Sequence, residues 1–195
     1  MAQVQNGGAF PNPVYAREIL EVGFREGQRL LFPHMQAANE AHTLMLAETG
    51  VLGRDHAATI FAALAQVVVD GVDSFSYEPQ VEDLFFAVEK RIITLAGPAA
   101  GGNLQIARSR NDLAAVMNRL FLREYSLTVQ RAVTRLRAAL IDLASEHVRT
   151  IMPGITHTQP AQPTTLAHYL LGVLGPLERD SERLREGWAR INRSP

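Results

Sequence analysis

The sequence predicts an all-α fold, with a small N-terminal helical domain followed by long helices of a multi-subunit bundle. Apolar residues recur at steps of three and four along most of the chain, which is the spacing of one helix face. Glycines stand where these periodic segments end, as at Gly71 and Gly97. Between Asn103 and Met152 there is no glycine or proline, so that span can hold a single helix of about 75 Å.

Four helical segments make up the predicted N-terminal domain, residues 13 to 103, after a mobile leader of residues 1 to 12 that is rich in Gly, Asn, Gln and Pro. The first segment is expected to end at Pro33, because proline lacks the backbone N–H that continues a helix. The second is expected to end at Gly50 or Gly53. Its predicted core stripe consists of Ala38, Ala41, Leu44 and Met45.

The third and fourth segments carry their own start and stop signals. Asp55 is predicted to cap the third helix, which Gly71 ends. The fourth, VEDLFFAVEKRIITLAG, stops at Gly97 because a proline follows. Its buried face is predicted to hold Leu84, Val88, Ile92 and Leu95.

Residues 104 to 195 are predicted to supply the first long helices of a central bundle domain. The apolar stripe of the first long helix includes Val129, Val133, Leu136, Leu140 and Leu143. Residues 152 to 165, MPGITHTQPAQPTT, are expected to form a rigid loop, and a second long helix with a kink at Gly175-Pro176 follows. Two long helices leave apolar stripes uncovered, so other subunits or a complementing C-terminal chain are expected to cover them.

Composition narrows the class of partner. The 195 residues hold 19 basic and 20 acidic side chains, and a formal net charge of -1 argues against capture by nucleic acid or an anionic membrane. The absence of cysteine excludes disulfides and thiolate chemistry and fits a cytoplasmic protein. Neither a membrane span, nor a histidine pair with metal-ligand spacing, nor a phosphate-binding loop is present. A small-molecule substrate is therefore expected, with no metal or other cofactor.

The first candidate site is the segment ARSRNDL, residues 107 to 113. Ser109 or Asn111 can cap the helix that follows, and the free N–H groups of a helix N-terminus attract anions. Arg108 and Arg110 add guanidinium groups that suit carboxylates. The simpler interpretation is an ordinary capping box with solvated arginines, and the spacing alone leaves both open.

The second candidate site surrounds His157, which lies with Thr156 and Gln159 between Pro153 and Pro160. An imidazole titrates near neutral pH and can act as acid, base or orienting donor. A lone loop histidine is more often structural or simply exposed, so the residues by themselves leave its role open.

Two longer stretches together resemble signature regions of argininosuccinate lyase, a member of the fumarase/aspartase superfamily. They are EDLFFAVEKRIITLAGPAAGGNLQIARSRNDLAAVMNRLFLRE and MPGITHTQPAQPTTLAHYLLGVLGPLERDSERL. The earlier AANEAHTLMLAETGVL also resembles the first helical domain of that family. Ser-Arg-Asn-Asp followed by Pro-Gly-x-Thr-His-x-Gln-x-Ala-Gln-Pro is a specific combination.

The resemblance implies an almost wholly helical homotetramer whose subunits share a central bundle and share their active sites. The implied reaction, which belongs to arginine biosynthesis, starts when a base removes the proton beside a carboxylate. The carbanion is held as an aci-carboxylate, and the C–N bond breaks to release fumarate and an amine or amidine. From argininosuccinate the second product is arginine.

Matched motif to motif, the resemblance also implies roles for individual residues. It assigns His157 an acid/base role, or a role in orienting or protonating the departing nitrogen. The residues that it assigns to substrate binding or support are Ser109, Arg110, Asn111, Thr156 and Gln159.

Four positions depart from the family pattern. Gln105, Ile106 and Ala107 stand where the family has His-Thr-Gly, and Phe85 stands where Glu-Asp-Ile-His has its histidine. An apolar wall leaves polar substrate groups unpaired, at roughly 1–3 kcal/mol for each. A related N-substituted aspartate is therefore an alternative substrate.

The family's third signature, Gly-Ser-Ser-x-Met-Pro-x-Lys-x-Asn, does not occur in these 195 residues, although its serine is the proton-abstracting base. We therefore expect a fragment of a longer protein, or one part of a split one, with no lyase activity by itself. A non-catalytic structural or partner-binding subunit derived from the family is the alternative from another class. Adenylosuccinate lyase and fumarase fit the Ser-Arg-Asn-Asp motif less well.

Overall fold

The structure, a computed structural model, describes residues 11 to 194 and divides into two compact units. The first unit comprises the described residues up to Phe121, and the second is Leu122–Ser194. Most of the leader expected at the N-terminus, residues 1 to 10, lies outside the described residues.

Helices build the first unit, as the sequence predicts. They are α1 (Pro13–Tyr15), a π-helical turn (Ala16–Leu20), α2 (Glu21–Glu26), a second π-helical turn (Gly27–Leu31), α3 (Phe32–Glu48), α4 (Arg54–Asp70), a 3-10 turn (Val72–Ser74), α5 (Leu84–Ala96) and α6 (Pro98–Gly101). Helix α7 (Arg110–Glu146) begins in this unit and has 37 residues. Asn12 caps α1, since its side chain accepts a bond from the Val14 N–H at 2.9 Å.

The core of the first unit lies where α3, α4 and α5 pack together. Its fully buried apolar side chains include Phe24, Leu46, Ile60, Leu64, Val67, Val88, Ile92, Leu104 and Leu113. The predicted buried face of α5 is confirmed at Leu84, Val88 and Ile92, but Leu95 is 43% exposed. The start of α7 is thus anchored in this core by Leu113, which fixes the chain around the first candidate site.

Two predicted helix boundaries are wrong. Pro33 does not end the first segment, because it lies in the first turn of α3, where a proline displaces little hydrogen bonding. The preceding π-helical turn keeps the chain helical, and the Phe32 N–H donates to the Gly27 carbonyl. Gly53 rather than Asp55 occupies the N-cap of α4, and Asp55 lies in its first turn, near the positive end of the helix dipole.

The predicted core stripe of α3 is wrong at Ala41, Leu44 and Met45, whereas Ala38 packs partly buried against the core. Leu44 is 50% exposed and Met45 is 41% exposed, whereas the polar side chains of Asn39 and Thr43 are buried. Thr43 Oγ1 donates to the Asn39 carbonyl at 2.8 Å, so the hydroxyl is paired inside the protein. Hydrophobic spacing misjudges this face because the side chains of Asn39 and Thr43 find internal partners.

The segment expected to be a rigid loop is an antiparallel β-hairpin of β1 (Ile151–Thr156) and β2 (Gln159–Thr165). Proline is tolerated here because each strand of a two-stranded sheet keeps a free edge where the missing N–H costs no ladder bond. Thr165 then caps α8 (Leu166–Ile191) by accepting from the His168 N–H at 3.1 Å. The fold class remains all-α, with one small sheet in the described residues.

Helix α7 is shorter than the glycine-free and proline-free span allowed. It begins at Arg110 rather than Asn103, because a series of turns follows α6, and its 37 residues span about 56 Å. Part of its predicted stripe is open to solvent, since Leu136 is 48% and Leu143 is 42% exposed. Within the second unit, polar contacts join α7 to α8, including Arg137 Nη2 to Glu178 Oε1 at 3.1 Å.

Candidate active site

Ser109 is the N-cap of α7. Its Oγ accepts a hydrogen bond from the Asp112 N–H at 3.3 Å, and Asp112 Oδ2 accepts one from the Ser109 N–H at 2.8 Å. This reciprocal pair is a capping box, and it selects Ser109 over Asn111 as the cap. The bonds from Ser109 hold the pKa of the Asp112 carboxyl below its usual range. The Ser109 O–H also bonds to the Asp112 carboxyl, and exchanging that bond for one to a ligand carboxylate would leave Asp112 its bond from the Ser109 N–H.

Arg110 remains 38% exposed but is held by the residues at the start of α5. Its Nη1 lies 3.0 Å from Glu82 Oε1 and 3.3 Å from Asp83 Oδ2, and its guanidinium lies 5.2 Å from the centroid of the Phe86 ring. The hydrogen bond to Glu82 is the main cause that raises the Arg110 pKa. Both carboxylates contact Nη1, so the edge formed by Nε and Nη2 can receive a ligand carboxylate.

Asp83 forms contacts at the starts of two helices, α5 and α7. It is the N-cap of α5, where its Oδ1 accepts from the Phe86 N–H at 3.2 Å, while its Oδ2 faces Arg110. One carboxylate thus stabilises the start of α5 and orients the guanidinium on the first turn of α7. The sequence gives a signal for the cap but none for the contact with Arg110, which lies 27 residues away.

Arg108 makes its contacts inside the first unit. Its Nε donates to Gln105 Oε1 at 3.0 Å, and its Nη2 donates to Asn39 Oδ1 at 2.7 Å. Burial lowers the Arg108 pKa to about 10, against the opposing charges of Asp112 and Glu89. Arg108 is thus a partner of α3, and sequence reasoning missed Asn39 because no local pattern marks it.

The four departures from the family pattern have structural roles of their own. Phe85 is 8% exposed and packs edge-to-face on Phe86, so it belongs to the core. Gln105 accepts from Arg108, and the Ile106 carbonyl accepts from His42 Nε2 at 3.0 Å. Ala107 has φ +58°, a left-handed conformation that glycine adopts at little cost.

His157 and Thr158 form the two-residue turn of the hairpin. Their φ values are +50° and +64°, the geometry of a type I′ turn that usually selects Asn-Gly. Thr158 Oγ1 donates to the His157 carbonyl at 2.6 Å, and Thr156 pairs with Gln159 across the turn. The imidazole is exposed at the tip, on a backbone whose left-handed residues cost roughly 1–2 kcal/mol each.

The structure gathers the predicted site residues into two groups. The first unit holds Ser109, Arg110 and Asn111, and the hairpin tip of the second holds Thr156, His157 and Gln159. The first group offers hydrogen-bond donors and positive charge to carboxylates, and the second offers a titratable ring. Across residues 11 to 194, no group of three or more His, Asp or Glu could hold a metal ion, and no helix is long and apolar enough to cross a membrane.

Comparison with known proteins finds a matching family and similar chains. The model of the family described as Lyase matches residues 24 to 195. Argininosuccinate lyase 1 of Shouchella clausii (strain KSM-K16) is 40% identical over 184 residues, which are 92% of this chain and 37% of that protein. Argininosuccinate lyase of Natronomonas pharaonis is 45% identical over 159 residues, which are 82% of this chain and 32% of that protein.

A solved structure extends the likeness to the fold. An EDDS lyase variant with bound fumarate superposes with a TM-score of 0.75 at 35% identity, over 85% of this chain and 32% of that one. The chain spans about a third of the length of the curated relatives that it matches. The described helices are thus those of a known architecture, and the chain belongs to the Lyase family, the fumarase/aspartase superfamily that includes the argininosuccinate lyases.

Proposed function

We propose that this chain is part of a C–N lyase that eliminates an amine or amidine from a succinyl-type substrate and releases fumarate. The first candidate substrate is argininosuccinate, with arginine as the second product and arginine biosynthesis as the pathway. One observation carries the proposal. Relatives that are 40 and 45% identical are argininosuccinate lyases, and the motif shared with that family forms a capped, cationic helix start at Ser109.

The helix start suits the two carboxylates of a succinyl group. The free N–H groups of the first turn of α7 offer hydrogen-bond donors to an anion, and Ser109 stands at the start of that turn. Arg110 adds the Nε and Nη2 edge of a guanidinium that Glu82 and Asp83 hold in place. The amide of Asn111, which is exposed on the same turn, adds a further donor.

The family resemblance gives His157 a role at the departing nitrogen. A base removes the proton from the carbon beside the carboxylate, the electron pair forms the C=C bond of fumarate, and the C–N bond breaks. The imidazole of His157 protonates or orients the departing nitrogen, and Thr156 and Gln159 bind beside it. The serine signature that supplies the base in the family is not among these 195 residues. The chain by itself is therefore expected to be inactive.

The active assembly is proposed to be a cytoplasmic homotetramer with shared sites, or a pair of complementing chains. The open stripe on α7 supports this, because Leu136 and Leu143 are nearly half exposed. The second unit also has exposed apolar side chains at Ile151 and Ile155, which are 76% and 71% exposed. Surfaces of this kind are covered in a helical bundle.

A related N-substituted aspartate is the second candidate substrate. The family's histidine and threonine are here Phe85 and Ile106, and Gln105 is bonded to Arg108. These changes remove polar groups that a guanidino-bearing substrate could use. The likeness to EDDS lyase at 35% identity points the same way, toward a lyase of this fold that takes another substrate.

The test uses the chain together with any residues that its gene encodes after Pro195. Fumarate release is followed by ultraviolet absorbance with argininosuccinate and a panel of N-substituted aspartates. We expect release from at least one, and a loss of about 100-fold or more in His157→Asn. Asparagine tolerates the left-handed turn, so this variant separates chemistry from folding. His168→Asn, at an exposed position on α8, is the matched control and should keep full activity.

Fumarate release by the isolated 195-residue chain would overturn its expected inactivity, because it would show that the missing serine signature is not needed. Absence of release from every substrate by an assembled protein would favour the non-catalytic, structural alternative.

A further inference from the structure

Two side chains of helix α3 form hydrogen bonds with the segment before α7, residues 105 to 108. Asn39 Oδ1 accepts from Arg108 Nη2 at 2.7 Å, and His42 Nε2 lies 3.0 Å from the Ile106 carbonyl. A carbonyl only accepts, so His42 carries its hydrogen on Nε2 and donates it. Asn39 and His42 are one turn apart on the same face of α3, which lets both reach the same short segment.

Arg108 is committed to this contact. Besides Asn39, its guanidinium donates to Gln105 Oε1 at 3.0 Å and lies 3.5 Å from the Ala38 carbonyl. Asn39 is only 2% exposed, so swinging Arg108 out toward a ligand would leave a buried amide oxygen without its partner. The guanidinium of Arg108 therefore bonds to groups inside the first unit, whereas the guanidinium of Arg110 keeps one edge for a ligand.

The backbone of this segment is strained and needs support from its neighbours. Ala107 holds a left-handed φ of +58°, and Gln105 to Arg108 form a turn closed by the Arg108 N–H on the Gln105 carbonyl at 3.1 Å. Ser109, the cap of α7, follows directly. A strained turn persists only where the surroundings hold it, and here the surroundings are Asn39 and His42.

We propose that Asn39, His42 and Arg108 form a clamp that positions the Ser109 start of α7 for carboxylate binding. Asn39, His42 and Arg108 are then positioning residues that act through Ser109 and Arg110 and do not touch the substrate. The clamp is a feature of this chain's own contacts, and its role in substrate binding rests on the proposed function.

The test compares substitutions that keep or remove each contact. Asn39→Asp keeps an oxygen acceptor for Arg108, whereas Asn39→Leu removes it at similar volume. His42→Gln keeps a donor for Ile106, whereas His42→Leu removes it. Gln66→Leu is the control, because it breaks an exposed bond of 2.7 Å to Asp70 on α4, away from the clamp.

Two readouts separate the clamp from the enzyme reaction. In the protein carrying any residues encoded after Pro195, hydrogen exchange of the Ser109 and Asp112 amides should quicken about 10-fold in Asn39→Leu. In the same variant, KM for the succinyl substrate should rise about 10-fold while kcat changes by less than about 3-fold. Asn39→Asp and Gln66→Leu should match the wild type in both readouts.

Each outcome has a fixed meaning. Unchanged exchange in Asn39→Leu overturns the clamp, even when the lyase activity is normal. Faster exchange with no lyase activity in any variant supports the clamp and refutes the proposed function instead. If Asn39→Leu does not fold, His42→Leu at its half-buried position is judged by the same criteria, with His42→Gln as its rescue.

Discussion

Replacing Ala107 by glycine should stabilise the first unit. Ala107 is exposed and holds φ +58°, where the Cβ of an L-residue crowds the following carbonyl at a cost of roughly 1–2 kcal/mol. Glycine removes that cost but increases the conformational entropy of the unfolded chain, worth roughly 0.4–1 kcal/mol. The expected net gain in unfolding free energy is about 1 kcal/mol.

Urea unfolding followed by circular dichroism measures this gain. The unfolding free energy should depend on urea concentration with the same slope in the wild type and in Ala107→Gly. Ala65→Gly is the matched control, because Ala65 is equally exposed but lies inside α4, where φ is negative. There the same chemical change should cost about 1 kcal/mol. If Ala107→Gly lowers the unfolding free energy as Ala65→Gly does, the left-handed strain at Ala107 is not real.

Three further predictions address the pH response, the helix cap and the hairpin turn. Burial first, and then Arg108, lower the His42 pKa below its ordinary 6.5, so the stability of the first unit should be complete above that pH and fall as pH drops below it. Urea unfolding midpoints measured at about pH 7.5 and about pH 5.5 test this prediction. If the midpoint of His42→Gln falls between these pH values as much as that of the wild type, the effect belongs to another group. Ser109→Ala should lower the unfolding free energy by about 1 kcal/mol, whereas Ser109→Asp should not, because aspartate also caps a helix. Both variants should lose substrate binding. Equal unfolding free energies of the two variants would disprove the capping role. Thr158→Gly should stabilise the hairpin by about 1 kcal/mol, as judged by thermal unfolding monitored by NMR, and a lower midpoint would mean that the Thr158 hydroxyl outweighs the strain.

Local patterns account for the parts of the fold that the sequence predicts well. The helical spacing of Leu84, Val88 and Ile92 marks the buried face of α5, because a residue's place on a helix depends only on its spacing along the chain. The end of α4 at Gly71 is similarly visible, since its φ of +77° is a glycine conformation. The capping box at Ser109 is also local, because its partner is three residues away.

Local patterns fail where distant groups decide the outcome. Asn39 looks like a surface residue of α3, and only Arg108, 69 residues later, makes its burial favourable. The prolines of the hairpin argue against strands until the pairing shows that each strand has a free edge. Arg110 offers the same kind of case, because its partners Glu82 and Asp83 start another helix.

The sequence by itself determined the helical class, a cap at Ser109 or Asn111 and the motifs whose spacing marks a lyase, because all of these depend on neighbours within a few turns. Only the tertiary structure decided how the two arginines are used. Arg108 is turned inward by a buried amide on α3, and Arg110 is held by two carboxylates before α5. In the sequence Arg108 and Arg110 look equivalent, because they are separated by one residue. Their long-range partners make Arg108 a structural support and leave one edge of the Arg110 guanidinium open to a ligand.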